Sequence, residues 1–201
     1  SRIDLGLLVD HETPVRALAE AGIDPVRVWI KVDTGLRRAG VPWDEPDRAV
    51  ALARRIAGSR PLVLAGLLTH AGHSYRERSA AGVLRVHAES LRRMRKVKSA
   101  LEGEGFADLE ISVGDTPTCS LAGDFPGAGE IRPGNFVFFD LMQLAIGSCS
   151  AEDLALALAC PVAGVHPKKA GTEHLGVPVM ATAKEAEDTF DIALMFIPPM
   201  A

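Results

Sequence analysis

The sequence predicts an α/β protein whose parallel β-sheet forms most of a (β/α)8 TIM-type barrel, with the first strand or strands missing. Short apolar runs alternate with segments of helical spacing, which is the pattern of βαβ units. The runs are almost continuously apolar, as expected for strands covered on both faces. Polar residues cluster where the runs end, and in barrels and open α/β sheets the carboxyl ends of parallel strands carry the chemistry.

The predicted strands and helices follow one another regularly along the chain. The strands are Ile3–Asp10, Val26–Asp33, Pro61–His70, Leu109–Gly114 and Glu130–Asp140, with a further strand over Ala155–Val165. The helices are Thr13–Ile23, about Asp44–Ala57 and about Arg78–Leu101. No GxGxxG motif follows the first strand, so a dinucleotide-binding fold receives little support.

Helical spacing also predicts which side chains face the core. In the second helix these are Ala49, Val50, Leu52, Ala53 and Ile56. In the third helix they are Leu84, His87, Leu91, Met94 and Leu101. The basic run from Arg92 to Lys98 lies on the polar side of this helix and is predicted to be a solvated face.

Composition narrows the functional class. The 201 residues are 47% hydrophobic and 24% charged with a formal net charge of −4, which is ordinary for one soluble domain and gives no general attraction to nucleic acid or anionic membrane. Three cysteines without a CxxC pair suit free thiols in a reducing compartment. No apolar run reaches the roughly 18 residues of a membrane span, and no signal peptide is visible, so a cytoplasmic location is expected. The lack of an initiator methionine suggests a fragment or a trimmed product.

Lysine 31 stands out within the strand Val26–Asp33. Side chains alternate between faces, so Lys31 shares with Trp29 and Asp33 the face that would point into a barrel. The residue types leave two interpretations open: a catalytic group near the barrel mouth, or a structural ion pair with Asp33. After the Thr34-Gly35 turn, Arg37 or Arg38 could bind an anion with a bidentate guanidinium, while the other would be a surface residue.

The stretch "SVGDTPT" (Ser112–Thr118) has the composition of an anion-binding turn. Gly114 allows close approach of the backbone, Thr116 and Thr118 offer hydroxyls, and backbone N–H groups after a strand can form an anion nest. An ordinary turn built around Asp115 and Pro117 is the alternative.

Four ordered motifs resemble one enzyme family. These are "KVDTGLRRAG", "THAGHSY", "SVGDTPT" and "EIRPGNFVFFDLMQ", all within Val26–Gln143. Together they resemble the alanine racemase-type, fold-type III pyridoxal phosphate enzymes, and in particular the D-serine dehydratase and D-threonine aldolase branch. The resemblance implies pyridoxal phosphate as cofactor and a lyase acting on D-β-hydroxy amino acids. An amino-acid racemase and a non-catalytic or degenerate pyridoxal phosphate-binding protein are the alternatives.

The resemblance also implies roles for the first two motifs. Lys31 would tune the charge of the site, and Arg38 would orient the cofactor or hold a substrate carboxylate. The Schiff-base lysine would lie on an earlier strand, so it would not be Lys31. His70 would pack against the cofactor ring, while His73 and Tyr75 would perform acid–base chemistry. A rim histidine without a chemical role, or a metal-dependent hydrolase using His70 and His73, remains open.

The later motifs would hold the two ends of the cofactor. Gly114, Asp115, Thr116 and Thr118 would surround the phosphate, although the family more often has a neutral hydroxyl residue in place of Asp115. If phosphate binds there, the Asp115 carboxylate must turn away from it. Arg132 would donate to the pyridine nitrogen, and a rim ion pair with Glu130 is the alternative.

The resemblance further implies a domain division and partners. Residues 1–145 would form part of the pyridoxal phosphate-binding barrel. Residues 146–201 would be a linker and the remnant of a C-terminal β-domain, which Leu154–Pro167 resembles and which diverges after about residue 168. The intact family member can carry a divalent metal, but no ligands are assigned here. The expected partners are a small amino-acid substrate and a second copy in a homodimer, without nucleic acid or membrane.

Overall fold

The computed structural model describes residues 5–22, 25–155, 158–161 and 192–195. The chain divides into two compact units, Ser1–Gly134 and Asn135–Ala201, and each is described by itself. The domain boundary near residue 145 stays a prediction.

The first unit is a parallel sheet whose strands alternate with helices. Its strands are β1 (Gly6–Val9), β2 (Val26–Asp33), β3 (Val41–Pro42), β4 (Leu62–Leu68), β5 (Glu110–Val113) and β6 (Glu130–Ile131). Its helices are α1 (Glu12–Glu20), α2 (Pro46–Ala57), α3 (Ala80–Gly103) and α4 (Thr116–Leu121), with a 3-10 helix over Gly72–Arg76. The strand order is β1-β2-β4-β5-β6, with β3 beside β2 and all pairs parallel.

The two faces of this sheet differ in chemistry. On β2, Val28, Ile30 and Val32 are fully buried in the hydrophobic core, which also contains side chains of α1, α2 and α3. The other face of β2 carries Trp29 and Lys31. A sheet in chain order with its helices packed on one face is the arrangement of a (β/α) barrel rather than of a doubly wound sheet, which reverses its strand order.

The predicted inward face of α2 is confirmed, because all five named side chains are buried. In α3 two predicted positions are not buried. Leu84 is 40% exposed and His87 is partly buried, whereas Val83 and Val97 are buried. The exposed basic side chains of this 24-residue helix leave only a narrow apolar stripe, and that stripe runs through Val83, Leu91, Met94 and Leu101.

The predicted strand Glu130–Asp140 is wrong over most of its length. Strand β6 ends at Ile131, and a 3-10 helix covers Asn135–Val137. Pro133 has no N–H to donate to a neighbouring strand and Gly134 adds backbone freedom, so the strand stops there. The helix α4 replaces a segment predicted to be only a turn.

The second unit contains short elements. The side chain of Asp140 caps the N-terminus of helix α5 (Leu141–Ile146), and Gly147, with φ +87°, is its C-cap. A 3-10 helix covers Ala151–Asp153, and β7 (Leu158–Pro161) pairs antiparallel with β8 (Ile192–Met195). Strand β7 lies within the predicted strand Ala155–Val165, while residues 162–165 and most of the tail after residue 168 lie outside the described residues.

Within the described part of the chain, none of the helices combines the length and the apolar composition that a membrane span requires.

Gly66 is the point where β4 and β5 come closest. A Cβ atom at this position would lie 2.1 Å from the backbone oxygen of Glu110 and 2.8 Å from its backbone nitrogen. Real Cβ atoms do not approach backbone atoms so closely, so any side chain at Gly66 pushes the two strands apart.

We therefore expect Gly66→Ala to lower the free energy of unfolding by about 3 kcal/mol, the upper end of the range for overpacking. Urea unfolding measures this, with Gly103→Ala as control. Gly103 is helical and has nothing within 4 Å of an added Cβ, so the control keeps or slightly raises stability. Equal stability of the two variants would contradict the close approach.

Candidate active site at the carboxyl ends of the strands

Thr69 joins the ends of the central strands. It follows β4 directly and is 1% exposed. Its N–H donates to the Ser112 carbonyl oxygen at 3.0 Å, and its hydroxyl donates to the Val32 carbonyl oxygen at 2.8 Å. Its own carbonyl oxygen accepts a hydrogen bond from Nη2 of Arg132 at 2.8 Å. One buried residue therefore connects β4 with the ends of β2, β5 and β6.

A second buried hydroxyl extends this network to the helix layer. Oγ1 of Thr34 lies 3.0 Å from Oγ1 of Thr69 and donates to Oγ of Ser90 on α3 at 3.3 Å. Arg93 on the same helix donates from Nη1 to the Thr34 carbonyl oxygen at 2.6 Å. The turn after β2 is thus held both from within the sheet and from α3.

Arg132 is held by the strand ends on which it lies. Its Nε donates to Oγ of Ser112 at 2.7 Å, and Ser112 in turn hydrogen bonds to the Glu130 carboxylate. The Glu130 carboxylate also lies 3.9 Å from Nε, so the predicted ion pair is present beside the neutral contacts. Burial lowers the pKa of the Arg132 guanidinium, which nevertheless keeps its charge because the ordinary value is above about 12. Gly114 makes this packing possible, since a Cβ there would lie 2.6 Å from the Arg132 carbonyl oxygen.

A cavity of about 250 Å³ lies beside β2 and is lined by Lys31, Val32, Asp33, Leu36, Arg38, Ala39 and His70. Oδ1 of Asp33 accepts hydrogen bonds from the N–H groups of Gly35 at 2.8 Å and Arg37 at 3.1 Å. Among the described residues, Lys31 forms no ion pair, so a structural Lys31–Asp33 pair is not what the structure shows. Asp33 instead shapes the following loop, in which Arg37 has a φ of +59°. Of the two arginines, Arg38 lines the cavity.

The Gly114 carbonyl oxygen orients the His70 ring. Nδ1 of His70 lies 2.6 Å from that oxygen, which can only accept, so Nδ1 carries a proton. The His70 ring lies 6.3 Å from the Tyr75 ring, centroid to centroid. His70 therefore connects the cavity with the segment that follows β4.

The 3-10 helix Gly72–Arg76 carries Tyr75 to the β5–α4 turn, while the ring of His73 lies beside Gly35 in the turn after β2. Oγ of Ser74 donates to Oδ1 of Asp115 at 2.6 Å, and the N–H of Thr116 donates to the Tyr75 hydroxyl at 3.3 Å. Nδ1 of His73 is buried without a hydrogen-bond partner. Burial lowers the pKa of His73, as do Arg93 and Arg76 more weakly, while Asp115 and Asp33 oppose this effect.

Asp115 begins α4 and points its carboxylate into the fold. Oδ1 accepts the N–H of Thr118 at 3.0 Å in addition to the Ser74 hydroxyl. The hydroxyl of Thr118 is buried and has no hydrogen-bond partner. A buried hydroxyl without a partner costs stability, and such groups in native proteins commonly serve a bound group.

The predicted residues thus fall into three connected sets. Lys31, Arg38 and His70 line one cavity. Tyr75 contacts the turn Gly114–Thr118, and His73 feels the charge of Asp115 in that turn. Arg132 is hydrogen-bonded to the ends of β4 and β5.

Sequence reasoning missed the residues that hold these sets together. The motifs contain Thr69, Ser74 and Ser112 but do not indicate their contacts, and the basic run predicts a solvated face for Arg93. The position of Thr69, a polar residue at the end of an apolar strand, is the one local signal of its role. Besides its local partner Glu89, Arg93 contacts the Thr34 carbonyl oxygen, which is 59 residues away in the chain and which no local pattern indicates.

In the parts of the chain that the structure describes, no group of three or more histidine, cysteine, aspartate or glutamate side chains could hold a metal ion.

Two family models match the chain in different parts. The model for the alanine racemase N-terminal domain matches residues 1–141. A model described as a CoA binding domain matches residues 144–201, most of which lie outside the described residues.

Two of the curated relatives are dehydratases of D-amino acids. D-threo-3-hydroxyaspartate dehydratase of Delftia sp. (strain HT23) is 38% identical over 167 residues, which is 80% of this chain and 43% of that enzyme. D-serine dehydratase of Dictyostelium discoideum is 27% identical over 149 residues, or 71% of this chain and 38% of that enzyme. The chain therefore spans less than half the length of these relatives.

Solved structures give the same similarity. D-threo-3-hydroxyaspartate dehydratase from Delftia sp. HT23 matches with a TM-score of 0.73 and 34% identity, over 83% of this chain and 44% of that one. D-threonine aldolase from Filomicrobium marinum matches with a TM-score of 0.73 over 98% of this chain and 62% of that one. Its identity is 20%, so this second match shows the fold alone.

The lowered pKa of His73 predicts a pH dependence of stability. Below about pH 6.5 the unfolded chain protonates this histidine while the folded protein resists protonation, so stability falls as pH falls toward the folded pKa. We expect His73→Gln to lose less stability than the wild type between pH 7.5 and pH 5.5. Urea unfolding at both pH values measures the difference. An identical loss in both proteins would show that His73 titrates as it does in the unfolded chain.

Proposed function

Because this chain belongs to the alanine racemase N-terminal domain family, we propose that it supplies part of the pyridoxal phosphate site of a lyase acting on D-3-hydroxy amino acids. The observation that carries the proposal is the convergence of Arg132, His70 and the turn Gly114–Thr118 at the carboxyl ends of β4, β5 and β6. The 38% identity with a D-threo-3-hydroxyaspartate dehydratase over 80% of the chain supports the substrate class.

The residues present fit the cofactor. A phosphate needs hydrogen-bond donors, and the Thr118 hydroxyl, buried without a hydrogen-bond partner among the described residues, offers one. The Asp115 carboxylate is engaged by Ser74 and by the Thr118 N–H, so it does not have to face the phosphate. Arg132 would serve the ring nitrogen and His70 the ring face.

When bound, the cofactor draws electrons away from Cα of an amino acid and so weakens the bonds of that carbon. This chain's own residues would then bind the substrate and move protons. Arg38 would bind a substrate carboxylate in the cavity that it shares with Lys31. Lys31 would raise the positive charge of that cavity, as an unpaired cation, without acting as the covalent lysine.

Elimination of water from a 3-hydroxy acid needs a base for the Cα proton and an acid for the departing hydroxyl group. His73, neutral near pH 7 because burial lowers its pKa, suits the base, and the Tyr75 phenol suits a proton donor. These roles rest on residue chemistry and on the shared location of both side chains in the 3-10 helix Gly72–Arg76. A cytoplasmic location and a homodimer remain predictions from the sequence.

Products separate the candidate reactions. With D-threo-3-hydroxyaspartate, D-serine or D-threonine, a dehydratase in the whole protein releases ammonia and a 2-oxo acid. An aldolase releases glycine and an aldehyde, and a racemase only inverts the configuration at Cα. Ammonia from a D-3-hydroxy amino acid is the expected result, and inversion at Cα alone would contradict a lyase.

Thr118 offers a test of the cofactor site in this chain itself. Among the residues that the structure describes, the Thr118 hydroxyl has no hydrogen-bond partner, so Thr118→Val should leave the free energy of unfolding unchanged or raise it. The same change removes a donor to the phosphate and should weaken pyridoxal phosphate binding about tenfold, as expected for one hydrogen bond to a charged group. Equilibrium titration followed by absorbance measures the affinity.

Two controls make this test specific. Pyridoxal, which lacks the phosphate, should bind wild type and Thr118→Val equally, and Thr13→Val on the exposed side of α1 should bind pyridoxal phosphate like the wild type. If Thr118→Val destabilises the fold and leaves the affinity for pyridoxal phosphate unchanged, Thr118 does not bind the phosphate of the cofactor.

A further inference from the structure

The Asp115 carboxylate is buried at 4% exposure, yet it lies between two segments that are far apart in the sequence. Its Oδ1 atom accepts the Ser74 hydroxyl at 2.6 Å from one side and the Thr118 N–H at 3.0 Å from the other. Ser74 belongs to the 3-10 helix after β4, and Thr118 belongs to α4 after β5. A single oxygen atom therefore connects the two loops that carry the candidate chemistry.

The contact is stronger than a simple helix cap requires. An aspartate at a helix N-cap needs only a backbone N–H, which Thr118 supplies. The additional hydroxyl donor is fully buried, and its distance of 2.6 Å is typical of an O–H···O bond to a charged acceptor. Since Ser74 lies between His73 and Tyr75, holding Ser74 also limits where these two side chains can lie.

A second contact joins the same two segments. The N–H of Thr116 donates to the Tyr75 hydroxyl at 3.3 Å, which is a long and weak hydrogen bond. The Ser74–Asp115 bond supplies the short contact of the pair.

We propose that Asp115 is a positioning residue that acts through Ser74 to hold Tyr75 against the β5–α4 turn and to fix the neighbouring His73, whose ring lies beside Gly35. The inference rests on the proposed function, because that function assigns proton transfer to His73 and Tyr75. A serine side chain at position 115 is one atom shorter, whereas asparagine keeps the accepting oxygen in place.

The chain contains one tyrosine, so Tyr75 reports its own exposure. The experiment measures the rate at which tetranitromethane nitrates Tyr75 in the 201-residue chain without cofactor or substrate. Ser74→Ala and Asp115→Ala should each raise this rate about tenfold, as expected for the loss of one hydrogen bond to a charged group. Asp115→Asn should keep the rate within about twofold of the wild type, since the amide oxygen still accepts both hydrogen bonds.

Ser99→Ala is the matched control, because Ser99 is an exposed serine of α3. Tyr75 in Ser99→Ala should be nitrated at the same rate as Tyr75 in the wild type. Amide hydrogen exchange of α3 separates local release from global unfolding, and the proposal requires that nitration rise in Ser74→Ala while exchange of α3 stays unchanged. If Asp115 is only a helix cap, Ser74→Ala should be nitrated at the wild-type rate, and that result would overturn the proposal. A joint rise of Tyr75 nitration and of amide exchange in α3 would also overturn it.

The charge of Asp115 gives a second readout. Burial lowers the pKa of His73, and Arg93 and Arg76 lower it further. Asp115 raises this pKa, and Asp33 raises it by a smaller amount. An NMR titration should therefore show a lower pKa of His73 in Asp115→Asn than in the wild type. An unchanged His73 pKa would mean that Asp115 and His73 do not lie together. Neither readout uses pyridoxal phosphate, so failure of cofactor binding would count against the proposed function and leave this inference standing.

Discussion

The hydrogen bonds of Thr69 are the constraint on which the rest of the site depends. Its N–H, hydroxyl and carbonyl oxygen are all buried, and each has a partner on a different neighbouring segment. Leaving one such group without a partner costs about 1–3 kcal/mol, so the strand ends cannot shift independently. Arg132 makes one of these hydrogen bonds itself. His70 is adjacent in sequence to Thr69, and Lys31 is adjacent to Val32, so the network also fixes where these two residues lie.

The contrast between the two faces of the sheet explains why charged residues can lie at its end. Valine and isoleucine side chains of β2 pack under the helices, while Lys31 and Arg38 line the cavity on the opposite side. Asp33 directs its carboxylate to the backbone of its own loop, so it does not neutralise Lys31. The cavity therefore keeps an excess of positive charge, which suits an anionic amino-acid substrate better than a covalent role for Lys31.

Local patterns in the sequence were sufficient for some elements and insufficient for others. The bounds of β2 and the buried face of α2 follow from apolar spacing alone, and both are confirmed. The strand predicted over Glu130–Asp140 failed because Pro133 ends it, although the aromatic run beyond has strand-like composition. The bond between Ser74 and Asp115 spans 41 residues and that between Thr69 and Arg132 spans 63, and such contacts depend on the register between strands, which no local pattern contains.

If the carboxyl ends of β4, β5 and β6 bind pyridoxal phosphate around the Thr69 network, nearby amide groups change their chemical shifts when the cofactor is added. An NMR titration of the 201-residue chain with pyridoxal phosphate measures these changes. We expect saturable shifts concentrated at residues 69–75, 112–118 and 132, with smaller effects near Arg38. Saturable shifts confined to the second unit, or the absence of any saturable shift, would contradict binding at these strand ends.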